Sequence, residues 1–255
     1  MVSAILAELL YSQWICGLLA MTNKNNFLIS EKIQETIEKL YFRINDRFPN
    51  SGLSNVCKIL HTISLETNNT LKWIAKPNYL IRCGAYAIII IIALMTTYSV
   101  SSINVAAETI GISDLIQMTG SALEGLAIAG AGLLFIVTFE NRRKRKKIIS
   151  AINRLRCIAH IIDSHQLTKD PDSISKISVP TIHSPKRTLN KYHLSRYLNY
   201  CSEMLSLTSK LGFLYVQKFP DPIATNVVND LEELTTGLSR KIWQKIIIIN
   251  SNNNS

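Results

Sequence analysis

The sequence predicts an all-α protein in which a two-span transmembrane hairpin carries a cytoplasmic helical bundle. Three observations lead to this fold class. Only 18% of the 255 residues are charged, against about 25% in average soluble domains, which indicates that part of the chain faces lipid. Two long apolar segments are present, and the second ends at a dense run of basic residues. The remaining sequence repeats apolar residues at helical spacing.

The two apolar segments have the length and composition of membrane spans. Residues 83–103 contain no charged residue and include five consecutive isoleucines, 88–92. Residues 120–139 are also apolar, with Glu124 near the outer boundary. About 20 such residues cross the hydrocarbon core of a bilayer. A buried hairpin in a soluble domain is the alternative, but so long an isoleucine run would favour aggregation outside lipid.

Charge asymmetry predicts the orientation of the hairpin. The connection between the spans, residues 101–119, contains Glu108 and Asp114 but no Lys or Arg. Directly after the second span, residues 142–147 are all basic. The positive-inside rule therefore predicts that both termini lie on the cytoplasmic side of the inner (plasma) membrane. The same basic residues are expected to stop transfer and to bind anionic lipid headgroups. They are Arg142, Arg143, Lys144, Arg145, Lys146 and Lys147.

The second span carries a face of small residues. Ser121, Gly125, Ala129 and Gly132 recur at steps of four, four and three, which places them on one side of a helix. Small residues allow helix backbones to approach closely in lipid. This face suits packing against the first span, and it equally suits a homo-oligomer.

Five regions follow from this pattern. Residues 28–78 are predicted to form a cytoplasmic helical pair, 79–140 the transmembrane hairpin, 141–249 the cytoplasmic bundle and 250–255 a disordered tail. The segment 1–27 has two interpretations. Either translation starts at Met21, or residues 1–20 form a short helix on the membrane or on the core.

Apolar periodicity predicts the long helices outside the first span. They cover Ser30 to about Phe48, residues 53–75, one continuous stretch from about Gly120 to His165, residues 191–219, and a last helix to about Ile247. Ser30 and Asp221 are the predicted N-caps. The seam of the fourth helix is predicted to comprise Leu194, Leu198, Cys201, Leu205, Thr208, Gly212 and Tyr215. The apolar face of the last helix is predicted to comprise Val227, Leu231, Leu234, Leu238 and Ile242.

Evidence for catalysis in the sequence is thin. His160, Asp163 and His165 are metal-ligand types in close spacing, but an exposed helix end explains them as well, because the helix dipole favours His there. No phosphate loop, dinucleotide fingerprint or nucleophile elbow occurs. We therefore expect a protein that is not an enzyme and that needs no cofactor. Nucleic acid is not an expected partner, since the basic run lacks interleaved aromatic residues and adjoins the membrane.

Five cysteines, none in a Cys-x-x-Cys pair, are expected to be reduced structural thiols. Trp243 in the last helix is flanked by Arg240, Lys241 and Lys245. This group suits contact with a membrane surface. It also suits a core Trp beside basic residues that complement the helix C-terminus.

Four stretches resemble those of bacterial membrane proteins with two transmembrane helices, a group to which no activity is assigned. They are RFPNSGL (47–53), HQLTKDP (165–171), YLNYCSEMLSLTSKL (197–211) and LTTGLSRKIWQKI (234–246). The resemblance covers most of the chain from about residue 28. It implies a two-span topology and transfers no functional residue.

Three functions are compatible with this sequence. We expect a non-enzymatic oligomeric scaffold or regulatory membrane subunit, whose protein partner the sequence does not identify. The alternatives are a channel-forming or membrane-disrupting effector gated by the bundle, and a metal-dependent membrane enzyme using His160, Asp163 and His165.

Overall fold

The computed structural model describes residues 27–76, nine positions between 83 and 98, 112–171, 182–183 and 189–251. The five helices with continuous description are α1 (Ser30–Arg47), α2 (Gly52–Ala75), α3 (Ile112–Leu167), α4 (Lys191–Lys218) and α5 (Pro222–Ser251). No strand occurs in the described residues. The predicted all-α class and the helical bundle are therefore confirmed for this part of the chain.

The chain divides into two compact units. The bundle unit combines Met1–Lys72 with Ala151–Ser255, and the central unit is Trp73–Ser150. Helix α3 contributes its C-terminal part, from Ala151 to Leu167, to the bundle unit.

Several predicted regions fall largely outside the described residues. These are the N-terminal segment, most of the first predicted span, much of the loop 168–190 and residues 252–255. The described positions of the first span are helical and exposed. None of the helices in the described part of the chain combines the length and the apolarity that crossing a bilayer requires.

Of the two predicted N-caps, Asp221 is confirmed and Ser30 is not. Asp221 precedes α5, and its Oδ1 accepts a hydrogen bond from the backbone N–H of Ala224 at 3.0 Å, as expected of an N-cap. The prediction for Ser30 is wrong, because Ile29 is the cap of α1 and its side chain offers no hydrogen bond. Ser30 is instead the first helical residue, and its hydroxyl donates to Glu31 and to Asn68 of α2.

Helix α3 is longer than the periodicity predicted. It is continuous from Ile112 to Leu167, so it begins eight residues before the expected start at Gly120. Residues 112–119, predicted as part of the connection, are helical. No glycine or proline occurs between Ile112 and Thr119, and a single glycine at position 120 costs a helix only about 1 kcal/mol.

The core of the bundle unit is centred on α4, which packs against both α5 and α1. The predicted seam of α4 is confirmed, because all seven of its residues are buried. Thr208 fits in this apolar surface because its hydroxyl donates to the backbone carbonyl of Met204 at 2.8 Å. The C-terminal part of α3 adds four fully buried side chains, those of Ile152, Leu155, Ala159 and Ile162.

The buried face of α5 differs from the predicted one. Val228 and Thr235 are buried, whereas the predicted Val227 and Leu234 are only half-buried. Thr235 is accepted because its hydroxyl donates to the carbonyl of Leu231 at 3.0 Å, which removes the cost of burying an unpaired polar group. The helix also continues to Ser251, so Asn250 and Ser251 are not part of a tail.

Three helices meet at Gly212 of α4. A Cβ atom at this position would lie 2.7 Å from Leu231 Cδ2 of α5 and 3.9 Å from Leu155 Cδ1 of α3. The missing side chain therefore allows α5 to approach α4 closely. One turn further along α4, the Tyr215 hydroxyl donates to Thr67 Oγ1 of α2 at 3.1 Å, a buried bond between residues 148 positions apart.

Candidate functional site

The basic run occupies consecutive positions of α3 in the central unit. Because successive residues of a helix are rotated by about 100°, six in a row distribute positive charge around the whole circumference. Arg142, Arg143, Lys146 and Lys147 are exposed, and Lys144 and Arg145 are half-buried. A ring of cations of this kind can bind anionic groups from several directions.

Lys144 and Lys147 of the run have identified partners within the central unit. Lys144 Nζ lies 2.8 Å from Glu140 Oε1, and both side chains are largely covered, at 14% and 13% exposure. The ammonium group of Lys147 lies 4.3 Å from the centre of the Trp73 ring, a cation–π contact. Both contacts were missed by the sequence analysis, although the Glu140–Lys144 spacing of four is a recognisable signal. Arg142, Arg143 and Lys146 are therefore the better candidates for headgroup binding.

The segment before the basic run exposes large apolar side chains. Leu123, Ile128 and Phe135 are each 70% exposed or more, and Phe139 is 46% exposed. Phe135 and Phe139 stack on each other, with ring centres 6.3 Å apart. Exposed apolar side chains that contact each other, as Phe135 and Phe139 do, typically mark contact with lipid or with another protein.

The small residues of the same segment have no close neighbours in the described structure. No described atom lies within 4 Å of a Cβ atom built on Gly125 or Gly132. The side chains of Ser121 and Ala129 lie outside the description. Helix packing through this face therefore stays a prediction.

The three proposed metal ligands, His160, Asp163 and His165, have different surroundings. His160 is exposed, and Asp163 Oδ1 accepts a hydrogen bond from Gln166 Nε2 at 2.6 Å. The imidazole of His165 covers Gly52 at the start of α2, where an added Cβ would lie 3.1 Å from its Nδ1. Among the described residues, no three His, Cys, Asp or Glu side chains come together in a way that could hold a metal ion. The metal site stays a prediction without a ligand cluster to support it.

A polar network occupies the end of α3 instead. Lys245 Nζ of α5 donates to Gln166 O at 3.0 Å and to Gln166 Oε1 at 2.6 Å. Gln166 is only 2% exposed and belongs to the last turn of α3, where carbonyl groups lack intrahelical donors. Burial lowers the pKa of Lys245, while the nearby carboxylates of Asp170 and Asp163 act in the opposite direction. Lys245 therefore caps α3 and joins it to α5.

From sequence, Lys245 was grouped with Arg240 and Lys241, either at a membrane surface or as a complement of the helix C-terminus, and this role was not predicted. The available signal was its position on the buried face of α5, three residues after Ile242 and one before Ile246. A Lys at such a position reaches a buried acceptor through its long apolar stem. The alternative that Trp243 is a core residue is wrong, because its side chain is 54% exposed.

Four cysteines in the described residues are free thiols. Cys57 and Cys201 are buried, and burial raises the pKa of each thiol to about 12. Both remain protonated near neutral pH, so they act as small apolar side chains rather than nucleophiles. Cys83 and Cys157 are exposed.

No family model matches this chain, and neither the curated proteins nor the solved structures include one with significant similarity to it.

Proposed function

We propose that this chain is an integral inner-membrane protein that acts as a non-enzymatic oligomeric scaffold or regulatory subunit. Residues 83–103 and 120–139 would be its two spans, with both termini and the bundle unit in the cytoplasm. The observation that carries the proposal is the sequence of environments along the single helix α3. Exposed apolar side chains are followed by six basic residues, and then by side chains buried in the bundle unit.

The first two of these environments fit a membrane boundary. Exposed Leu123, Ile128 and Phe135 suit the acyl chains, and the ring of cations at 142–147 suits the headgroups that follow. Trp73, which contacts Lys147, is an aromatic residue of the kind enriched at this level. Arg142, Arg143 and Lys146 would bind anionic lipid. The resemblance to two-span bacterial proteins agrees with this topology.

The third environment supports a structural rather than a catalytic role. Ile152, Leu155 and Ile162 of α3 are fully buried, so the helix that would leave the membrane is a core element of the bundle unit. The shifted pKa values of Cys57, Cys201 and Lys245 follow first from burial. Such shifts arise from packing and need no reaction to explain them.

Two measurements test the membrane proposal. Topology reporters fused after Ser113 and after Ser255 should report opposite sides of the membrane, and the chain should resist extraction by alkaline carbonate. A cytoplasmic signal from position 113 would contradict the orientation, and extraction by carbonate would contradict the spans. Replacing the six basic residues by Gln should increase the fraction of chains inserted in the opposite orientation. Replacing the exposed Lys32 and Lys58 by Gln should leave that fraction unchanged.

A third measurement tests the oligomer. If the small-residue face packs against another copy, Gly125→Ile should reduce crosslinking between chains, because a branched side chain prevents close backbone approach. Leu123→Ile, at a highly exposed position nearby, is the matched control. Equal crosslinking in both variants would exclude the small-residue face as the contact between chains. Loss of membrane potential on expression of the wild-type chain would instead favour the channel-forming alternative.

A further inference from the structure

Arginine side chains collect where the end of α1 meets the start of α4 in the bundle unit. Arg43 and Arg196 both lie over the ring of Tyr200, with guanidinium carbons 6.0 and 5.6 Å from the ring centre. Arg47 lies over Tyr192, 5.4 Å from its ring centre. Significant cation–π contacts occur about once per 70–80 residues, so these three mark a local concentration of cations. We call these three arginines and two tyrosines the arginine junction.

A carboxylate neutralises only one of the three arginines. Arg43 Nη2 lies 2.7 Å from Glu203 Oε2. Arg47 Nη1 donates instead to the neutral hydroxyl of Tyr192, at 3.0 Å. Asp46 is exposed on the same turn of α1, and it forms no ion pair with the residues that the structure describes. Arg47 and Arg196 therefore have no anionic partner in the described part of the chain.

Arg196 is the least satisfied of the three. Its Nε is buried and has no hydrogen-bond partner among the described residues. Unpaired buried donors are rare in folded proteins, and each one calls for an explanation. The side chain as a whole is half-buried, and its outer Nη donors are not among the buried unpaired atoms, so solvent reaches them. An oxyanion that binds these donors and draws the planar fork slightly outward also gives Nε an acceptor.

The start of α4 adds a second attraction for an anion. Its first turn contains no acidic residue, so the positive end of the helix dipole lacks a charged complement there. Tyr192 belongs to this turn and is 60% exposed. Its hydroxyl accepts a hydrogen bond from Arg47, which leaves its own hydrogen free to be donated.

We propose that the arginine junction binds a soluble anion that carries more than one phosphate group. Arg196 and Arg47 donate to its oxygens, and the hydroxyl of Tyr192 supplies a further donor. From Tyr192 to Tyr200 the junction extends over about 12 Å of α4, which suits linked phosphate groups better than a single one. Phosphate is favoured over other anions because a guanidinium group can donate two parallel hydrogen bonds to it.

The position of the junction favours an anion from solution over a lipid headgroup. Lys169, just after the end of α3, lies 5.3 Å from the ring centre of Tyr197, on the same turns of α4. The end of α3 is about 30 Å along that helix from Lys147, the last residue of the basic run. At physiological ionic strength a charged surface is screened within about 8 Å. The site therefore goes beyond the proposed function and gives a regulatory subunit a soluble signal.

Calorimetric titration of the detergent-solubilised full chain with inorganic pyrophosphate tests the proposal. At constant ionic strength we expect saturable binding, and weaker binding of orthophosphate. Arg196→Met keeps an unbranched stem beside Tyr200 and should weaken pyrophosphate binding by on the order of tenfold or more, because charge-assisted hydrogen bonds are lost. Arg196→Lys keeps the charge but not the planar fork, and should also bind more weakly than the wild type.

Arg240→Met is the matched control. It removes an exposed arginine from α5 in the same unit and should leave the affinity unchanged. Equal losses in the Arg196 and Arg240 variants would overturn the proposal, since only net charge would then matter. No saturable binding to the wild type, or succinate binding as tight as that of pyrophosphate, would also overturn it. If Arg196→Met unfolds, Arg47→Met provides the same test.

Lipid nanodiscs distinguish the two sources of phosphate. Pyrophosphate should bind equally well to the full chain in discs of phosphatidylcholine and in discs that also contain phosphatidylglycerol. Loss of binding in the second kind of disc would show that headgroups occupy the arginine junction, and would overturn the soluble source. Failure of the proposed membrane location is separate, because extraction by carbonate would reveal it and would leave the titration in detergent unchanged.

Discussion

Lys245 donates two hydrogen bonds to one residue, reaching both the backbone oxygen and the side-chain oxygen of Gln166. The two residues lie 79 positions apart in the chain. Through these bonds a side chain of α5 supplies a donor to the last turn of α3, where backbone carbonyl groups lack intrahelical donors. Gln166 in turn donates to Asp163, so its amide group is used on both sides. This arrangement ties the end of α3 to α5, and its energetic role can be measured.

Lys245→Met should lower the free energy of unfolding by about 1–3 kcal/mol, because it leaves the buried Oε1 of Gln166 without its Lys245 donor while keeping an unbranched apolar chain. Lys241→Met is the matched control, one turn earlier on α5 and exposed, and should change stability by less than about 0.5 kcal/mol. Denaturant unfolding of the detergent-solubilised chain measures both. Equal effects would mean that the Lys245–Gln166 bonds contribute nothing to stability.

The buried thiol of Cys201 should make the fold sensitive to alkaline pH. Its pKa is raised to about 12 in the folded chain, whereas an exposed thiol titrates near 9. Between these values the unfolded state binds fewer protons than the folded state, so stability falls as pH rises, by at most about 1.4 kcal/mol per pH unit. The free energy of unfolding, measured from pH 8 to 10.5, should fall less steeply with rising pH for Cys201→Ala than for the wild type. Cys157→Ala, at an exposed position, should retain the wild-type slope.

Gly52→Ala should destabilise the bundle unit by about 1 kcal/mol or more, since the new methyl group overlaps the His165 ring and overpacking typically costs about 1–3 kcal/mol. His165→Ala in the same chain removes the obstacle. The double variant should therefore be more stable than the sum of the two single effects predicts. Thermal unfolding of the four chains gives the coupling energy, and strict additivity would show that His165 turns away at no cost.

Leu205→Asp should abolish the bundle. Leu205 is fully buried in the α4 seam, and losing such a side chain costs about 2–5 kcal/mol before the cost of burying a carboxylate is added. The control is the neighbouring Ser206→Asp, at an exposed position where the new carboxylate lies four residues from Lys210. Limited proteolysis in detergent should degrade the first variant and spare the second. Wild-type resistance in both would contradict the position of Leu205 in the core.

The sequence predicted which segments are helical better than it predicted how each helix is rotated. The α4 seam follows a strict alternation of four and three, and all its members are buried. In α5 the pattern favoured Leu234, but packing buries Thr235, because the rotation of α5 depends on its close approach to Gly212 and not on its own periodicity.

The amphipathic side chains were the hardest to place from sequence. Lys245 and Trp243 lie two residues apart, and either could have been assigned to the surface or to the core. The structure buries part of the Lys and exposes the Trp. Both side chains combine an apolar body with a polar end, so composition alone does not distinguish the two arrangements. Gln166, whose partner is supplied by another helix, gave no local signal.

The bond between Thr67 and Tyr215 has a consequence for the order of events during synthesis. At about 5–20 residues per second, the ribosome adds the 148 residues that separate this pair in roughly 7–30 s. Throughout that interval α1 and α2 exist without α4, so α1 lacks the helix against which it packs. The nascent chain therefore needs either a holding chaperone or a delay in compaction until the last two helices have emerged.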